Sequence, residues 1–329
     1  MSELSDSLGV SIVICTYNGK SRLEKTLIHA LRQSTSFPYE VVVVDNASSD
    51  DTTDWILKFA SQHDQLSLTR IVEERNPGLS SARIRGIKES KYPLILFCDD
   101  DNWLASDYLE IGKRRFEEHP KLGALGGEGI PVFETEKPEW FDQFSHSYAI
   151  GDLGMKSGIL SKGSAVYGAG CFYRKSALNE LLKKGWTSIL SDRKGDMLSS
   201  GGDVEFCYAI QLLGYDIGFE KSLKFHHFLE DRRLTWDYYL NLKKGISKSF
   251  PILLSYQLED HQDLSDFKKN LLSSFYIMIK GLIKTFILPR NTYQRKVDYV
   301  VVRAKFWAFF KNYHTAIDGY KRNQKIFGS

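Results

Sequence analysis

The chain has 329 residues, 42% of them hydrophobic and 26% charged, with a net charge of +3 at pH 7. That balance fits a soluble globular protein of one large domain or two modest ones, and it argues against a dominant nucleic-acid-binding field. The charge is uneven: residues 271–329 carry eleven Lys and Arg against two Asp, a net of +9, which leaves −6 on the first 270 residues. A basic C-terminal segment on an acidic body suggests an anionic surface as partner.

Cys15, Cys98, Cys171 and Cys207 lie far apart, without paired metal spacing. This favours a reducing cytosol over a disulfide scaffold. The opening "MSELSDSLG" is polar and acidic, unlike a secretion signal, so the expected location is cytoplasmic.

In "VSIVICTYN" an apolar run from Val10 to Cys15 stops abruptly at polar residues, as a buried strand does. In "SRLEKTLIHALRQ", Ser21 and Glu24 have capping-box spacing, and Leu23, Leu27, Ala30 and Leu31 share a helical face. "YEVVVVDN" is too apolar for an open antiparallel sheet and predicts a second buried strand. "SSDDTTDWILKFASQ" predicts a helix with an acidic first turn, and "LTRIVEE" a third strand. "NPG" turns the chain, "SSARIRGIKES" is a short helix, and "PLILFCDDD" a fourth strand. Strands and helices alternate with short loops, which predicts a mostly parallel sheet with helices on both faces. Ligands bind such sheets at the C-terminal strand ends. Four polar clusters fall there: Thr16-Tyr17-Asn18, Asp45-Asn46, Asn76-Pro77-Gly78 and Asp99-Asp100-Asp101.

Beyond Asp101, "LGALGGEGIPVF" and "AVYGAGCFYR" read as strands interrupted by glycine, where another group approaches the backbone closely. "SSGGDVEFCYAIQLLGYD" is a glycine turn entering a helix, with Asp203 and Glu205 in its first turn. From Trp236 onward the pattern is helical, and no internal repeat or low-complexity segment appears.

The three adjacent aspartates of "LILFCDDDN" repel one another and are costly to desolvate, so they need a positive partner or a solvated turn. The first turn, "TYNGKS", contains neither G-x-G-x-x-G nor a Walker-type G-K-[ST] loop. A bound nucleotide diphosphate would then need its charge managed otherwise. A metal on Asp99, Asp101 or both would do this, and hard oxygen ligands favour Mg²⁺ or Mn²⁺.

Taken together, "VSIVICTYN", "VVVVDNASSDDT", "NPGLSSARIRGI" and "LILFCDDDN" resemble the nucleotide-sugar half of the inverting family-two glycosyltransferases, which have the GT-A fold. The resemblance continues through "GGEGIP", "KPEW", "YGAGCFYRKSAL", "GGDVEF" and "HHFLEDRRLT", covering residues 8–245. It implies a GT-A domain over 1–240 and a helical, basic extension over 241–329. It also implies a metal-dependent hexosyltransferase that inverts the anomeric centre. The implied donor is a nucleoside diphosphate sugar, with UDP foremost, and the implied acceptor is a glycan or lipid-linked glycan of bacterial surface polysaccharide or glycolipid synthesis.

Residue by residue, the resemblance assigns the base to Thr16, Tyr17, Asn18 and Asp45. Asp45 can accept from a uracil N–H, and Tyr17 offers an apolar face. Asn76 and Arg83 match positions lining the nucleotide pocket; their bland readings are a turn-forming Asn and a surface Arg. Asp99 matches a ribose-side contact and second metal ligand, Asp101 the metal ligand on the diphosphate, and Asp100 stands between them in the donor site. His227, favoured over His226, matches a residue that completes the metal site, where a lone His is otherwise structural. Asp203 matches the catalytic base, against a bland reading as a helix-dipole charge, and Glu205 is second choice. Gly202 stands where the family usually has Glu, and Gly170 where it often has Asn. Trp140 and Gly168 to Cys171 are placed on the donor-sugar and acceptor side.

Two rival functions are a nucleotidyltransferase, which would usually show a glycine- and basic-rich first loop, and an inactive sugar-nucleotide or glycan-binding module. Asp101 together with Asp203 argues against the latter. In the tail, Leu271, Leu272, Phe275, Tyr276, Ile279, Leu282, Ile283, Phe286 and Ile287 form one helical stripe. Lys280 and Lys284 make a membrane span expensive. Two readings stay open: an in-plane helix on the inner face of the cell membrane through 271–329, or a helix packed on the catalytic domain.

Overall fold

Alternation along β1 (Val10–Thr16) sends Ile12 and Ile14 into one hydrophobic cluster and Val13 into another, so the strand is buried on both faces. The structure, a computed structural model, describes residues 9–63, 65, 67–152, 154–190, 201–261, 263–287 and 291–328, the side chains at 282 and 284–287 excepted. β2 (Tyr39–Asp45), β3 (Thr69–Glu73) and β4 (Leu94–Asp99) complete a wholly parallel half-sheet in the order β3-β2-β1-β4. Val41 to Val44 are fully buried. Each contributes about 1.5–3 kcal/mol of burial.

The connecting helices α1 (Leu23–Leu31), α2 (Thr52–Gln62) and α3 (Leu79–Glu89) divide between the faces. Leu23 and Leu27 of α1, with Ile56 and Phe59 of α2, enter the first cluster; Ala82 and Ile87 of α3 enter the second. The predicted capping box is absent. Arg22 is the N-cap of α1, and Gly19 O accepts from the Arg22 and Leu23 amides. That backbone turn satisfies the first orphan donors, so Ser21 is left outside the helix.

After β4 come β5 (Asn102–Leu104), α4 (Tyr108–Glu118), β6 (Leu122–Phe133), α5 (Phe141–Phe144), β7 (Gly158–Ile159) and β8 (Cys171–Arg174). α6 (Lys175–Lys183), α7 (Gly202–Leu212) and β9 (Asp216–Leu229) follow. The sheet runs on as β4-β8-β6-β9-β5, with β7 on β9. β6 and β9 are parallel, whereas β8, β5 and β7 pair antiparallel. The predicted "AVYGAGCFYR" strand shortens to β8. Gly170 has φ +61°, and a Cβ there would lie 2.7 Å from Tyr108 Oη. The chain turns at that glycine before extending.

The helical tail comprises α8 (Trp236–Lys248), α9 (Phe250–Leu254), α10 (Leu264–Ile287) and α11 (Thr292–Phe327). It is built into the sheet domain. Val297 of α11 packs with Trp140, Phe141 and Tyr239; Phe309, Ile317 and Tyr320 pack with Phe267 and Leu271 of α10; and Ile326 and Phe327 reach the second sheet cluster. Trp140, expected on the sugar side, is buried in that aromatic cluster, 5.1 Å from the Trp236 ring and 5.3 Å from Tyr239.

Candidate active site at the strand ends

The parallel register brings the predicted clusters to one edge: Thr16 pairs with Asp45, and Cys15 with Asp99. Asp45 is fixed by acceptance, Oδ1 from Ser48 N at 3.1 Å and Oδ2 from Thr53 Oγ1 at 2.8 Å. Asn18, at φ +48°, ties the first loop to the second. Its amide donates to Ser48 Oγ at 2.9 Å, and its Oδ1 accepts from Ser49 N at 2.8 Å. Between these anchors Tyr17 stands 52% exposed, an open ring at the end of β1. Asn46 staples the third loop: its Nδ2 donates to Glu74 O and Asn76 O, and its Oδ1 accepts from Gly78 N at 2.7 Å. The Asn76 side chain bonds Glu74 Oε1 at 2.9 Å, within its own turn.

Two of the three aspartates, Asp100 and Asp101, have positive partners inside the protein. Asp100 Oδ2 accepts from Arg22 Nη2 at 2.7 Å and Thr16 Oγ1 at 2.8 Å. Asp101, nearly buried, accepts at Oδ2 from Arg233 Nη1 at 2.6 Å, and His227 Nε2 is 3.4 Å from the same oxygen. Asn102 Nδ2 donates to Asp101 Oδ1 at 3.1 Å. Burial alone would lower the Arg233 pKa, but attraction and hydrogen bonding to Asp101 outweigh it and hold the guanidinium charged above its ordinary range. Arg22 is raised in the same way, burial opposing and Asp100 prevailing. Burial pushes the Cys15 thiol up to about 12, Arg83 opposing and Asp99 and Asp100 adding to it.

Arg83 is buried, not a surface residue, with its guanidinium 5.6 Å from the Phe97 ring centroid. It converges with Asp203 on Gly168: a Cβ there would lie 2.9 Å from Arg83 Nη2 and 3.0 Å from Asp203 Cβ. A side chain at 168 would have to push the Arg83 guanidinium and the Asp203 side chain aside, so glycine suits the close approach. Gly168 N donates to Asp203 Oδ2 at 3.0 Å, which fixes the carboxylate in the first turn of α7.

Glu205, two residues on, is elsewhere. It is fully buried and accepts from Ile189 N at 2.8 Å, Leu190 N at 3.0 Å, Tyr256 Oη at 2.6 Å and Ser188 Oγ. Four donors saturate it, so the expectation of a base there is corrected to an internal anchor. Arg22 and Arg233 are what sequence reasoning missed. Three adjacent carboxylates signalled a need for positive charge, but these two cations lie 78 and 132 residues from their partners in the chain, so the sequence did not point to them.

Among the described residues no group of three or more His, Cys, Asp and Glu side chains is arranged to hold a metal. Asp101 and His227 supply two donors.

A parallel half-sheet with polar loops at its carboxyl edge, extended by a mixed half carrying an acidic helix start, is the GT-A architecture. The family model for Glycosyl transferase family 2 matches residues 11–182, and the chain belongs to that family. Poly-β-1,6-N-acetyl-D-glucosamine synthase of Staphylococcus epidermidis is 24% identical over 221 residues, 67% of this chain and 50% of the synthase, so the chain spans half that relative's length. Two solved structures share the fold. The mannosyltransferase PcManGT of Pyrobaculum calidifontis, in complex with GDP-Man and Mn²⁺, has a TM-score of 0.55 at 17% identity, covering 96% of this chain and 85% of that one. Residues 1–349 of TarS from S. aureus, in complex with UDP-GlcNAc, give 0.53 at 13% identity, covering 94% and 92%.

Proposed function

We propose that the protein is an inverting glycosyltransferase that moves a sugar from a nucleoside diphosphate, UDP foremost, to a hydroxyl of a glycan or lipid-linked glycan in surface polysaccharide or glycolipid synthesis. The observation that carries this reading is Asp203, in the first turn of α7, held by the Gly168 amide and beside Arg83 of α3, in a fold whose sheet presents Thr16, Asp45 and Asp99 to Asp101 at its strand ends. In this reading Tyr17 stacks on the base, Asp45 accepts from it, and Asn18, Asn76, Asp99 and Asp100 shape the pocket around base and ribose. Arg83 faces the donor's negative charge. Asp203 takes the proton from the attacking acceptor hydroxyl as the new bond forms. Attack opposite the leaving group inverts the anomeric carbon, with no protein nucleophile required.

The donor set at Asp101 fits a divalent cation. A hard carboxylate beside an imidazole would leave further positions to diphosphate oxygens, and a carboxylate with substrate phosphates is the donor set that hard divalent cations take. Asp101 and His227 would hold it, with Asp99 adjacent, and Mn²⁺ or Mg²⁺ bound there would stabilise negative charge on the departing diphosphate. The Mn²⁺ and GDP-Man of PcManGT and the UDP-GlcNAc of TarS support this chemistry. Arg233 occupies the same Asp101 oxygen, so a cation held there would have to share or displace it, and a donor diphosphate would offer Arg233 a replacement anion.

The reading extends to a cytoplasmic enzyme, peripheral on the inner face of the membrane. A screen of nucleotide sugars that monitors released nucleoside diphosphate tests it, alongside calorimetry with UDP with and without Mn²⁺. Metal-dependent UDP binding with turnover of one donor is expected. Metal-independent binding without turnover of any donor would instead establish a binding module.

A further inference from the structure

Among the described residues eleven large hydrophobic side chains are exposed, and eight of them lie on α10 and α11. Isolated exposed apolar residues are ordinary, but a concentration on one hairpin is not. The stripe predicted on α10 divides. Leu271 is fully buried and Phe275 packs against α11, while Leu272, Tyr276 and Ile283, spaced i, i+4 and i+11, stand open. Of the rest of that stripe, the side chains of Leu282, Phe286 and Ile287 lie outside the described residues.

On α11 the open face is Tyr299, Trp307 and Phe310, with the half-buried Phe306 among them and Trp307 62% and Phe310 55% exposed. At 3.6 residues per turn these positions share one side of the helix, and Lys296 and Arg303 share it with them. Ring contacts make the two helix faces one surface: Phe275 lies 5.4 Å from Phe306 and 5.3 Å from Phe310, and Phe306 lies 5.7 Å from Trp307. Lys280 Nζ sits 4.4 Å from the Tyr276 ring centroid at its rim.

We propose that this aromatic and basic face of the α10–α11 hairpin seats on an anionic lipid bilayer, with both helices lying in the membrane plane. The proposal deepens the functional reading by naming the surface that brings the enzyme to its membrane. It rests on that reading for its purpose and on the hairpin alone for its physics. No helix among the described residues is long and apolar enough to cross a membrane, so a surface position is the form such contact takes. Tyr and Trp rings suit the headgroup level, and Lys and Arg extend apolar stems with charged tips toward lipid phosphates. Charge selects lipid over a second copy of the chain: 271–329 carries +9, and self-association through this face would oppose two such segments.

Cosedimentation of the full chain with phosphatidylcholine vesicles, with and without phosphatidylglycerol, tests the proposal. Binding is expected only with the anionic lipid, weakening as salt screens it. Trp307→Ser with Phe310→Ser should reduce partitioning at least about tenfold, the expected size for two lost interfacial anchors. Lys296→Glu with Arg303→Glu should do the same and flatten the salt dependence. Both pairs are exposed, so the melting temperature should hold and UDP–Mn²⁺ binding should be unchanged. Wild-type partitioning of both variants would overturn the assignment of the face. Absence of vesicle binding, with a dimer by light scattering that the Trp307/Phe310 variant loses, would replace lipid with self-association. Failure of UDP binding with intact vesicle binding would sink the functional reading and leave this surface standing.

Discussion

At Asp101 the buried carboxylate and the buried Arg233 guanidinium neutralise each other at 2.6 Å. Removing one partner from a buried pair leaves an uncompensated charge and costs about 3–5 kcal/mol. Asp101→Ala is therefore expected to lower the urea midpoint strongly, and Asp101→Asn with Arg233→Met to recover most of the loss. An Asp101→Ala protein as stable as the parent would show that Arg233 does not depend on the pair. Cys15 supplies a second residue-scale test. Its pKa, raised to about 12, keeps the thiol protonated through neutral pH. At pH 8 a three-unit rise lowers the thiolate fraction about 10³-fold. Native protein should resist iodoacetamide at Cys15, whereas rapid alkylation there would contradict the half-buried, acid-flanked setting. The acidic run was legible in the sequence as a charge problem. Its solution was not, because Arg233 lies far along the chain from Asp101 and only the antiparallel pairing of β5 with β9, Asn102 opposite His227, brings "EDRRL" beside it.

At the element scale, α7 bears Asp203 on one side of its first turn and is anchored through Glu205 on the other. Tyr256 Oη donates to Glu205 and accepts from Trp186 Nε1 at 3.0 Å and Arg322 Nη2 at 3.2 Å. Burial, then the neighbouring Glu205 charge, drive the Tyr256 phenol well above its ordinary range, so it remains a donor. Tyr256→Phe removes one donor from a buried carboxylate. The expected loss is about 1–3 kcal/mol by urea unfolding, and no loss would mean that another group takes its place. The α7 start was readable from "SGGDVEF", including both acids in the first turn. Which acid faces the site was not readable. Residues 203 and 205 lie about 200° apart around a helix, and only tertiary packing decides which side is core.

At the scale of the whole molecule, the alternating strand and helix pattern of the first hundred residues carried the parallel half-sheet and its site edge. The second half was less legible, because its strands pair across long sequence separations and its glycines mark close approaches that local pattern does not identify. The sequence division at residue 240 also looks different in three dimensions. Arg322 donates to Thr187 O at 2.8 Å, and Asn323, fully buried, donates to Ser255 O at 3.1 Å. A chain ended at Gln262 loses these bonds and uncovers the Trp140 and Tyr239 cluster that Val297 closes. It is expected to melt well below the full protein. Unchanged melting would contradict a stabilising role for the packing of the tail on the sheet domain.

The central claim is that Asp203 is the base of a nucleotide-sugar transferase, and the measurement that meets it most directly is turnover by Asp203→Asn beside its affinity for the donor. With the donor found by the screen, release of nucleoside diphosphate in the presence of acceptor should fall by about 10²–10⁴-fold, the usual share of a positioned base. Donor affinity by calorimetry should stay at the parent value. Near-parent turnover with the Asn side chain in place would contradict the assignment of Asp203, and with it the mechanism built on that residue.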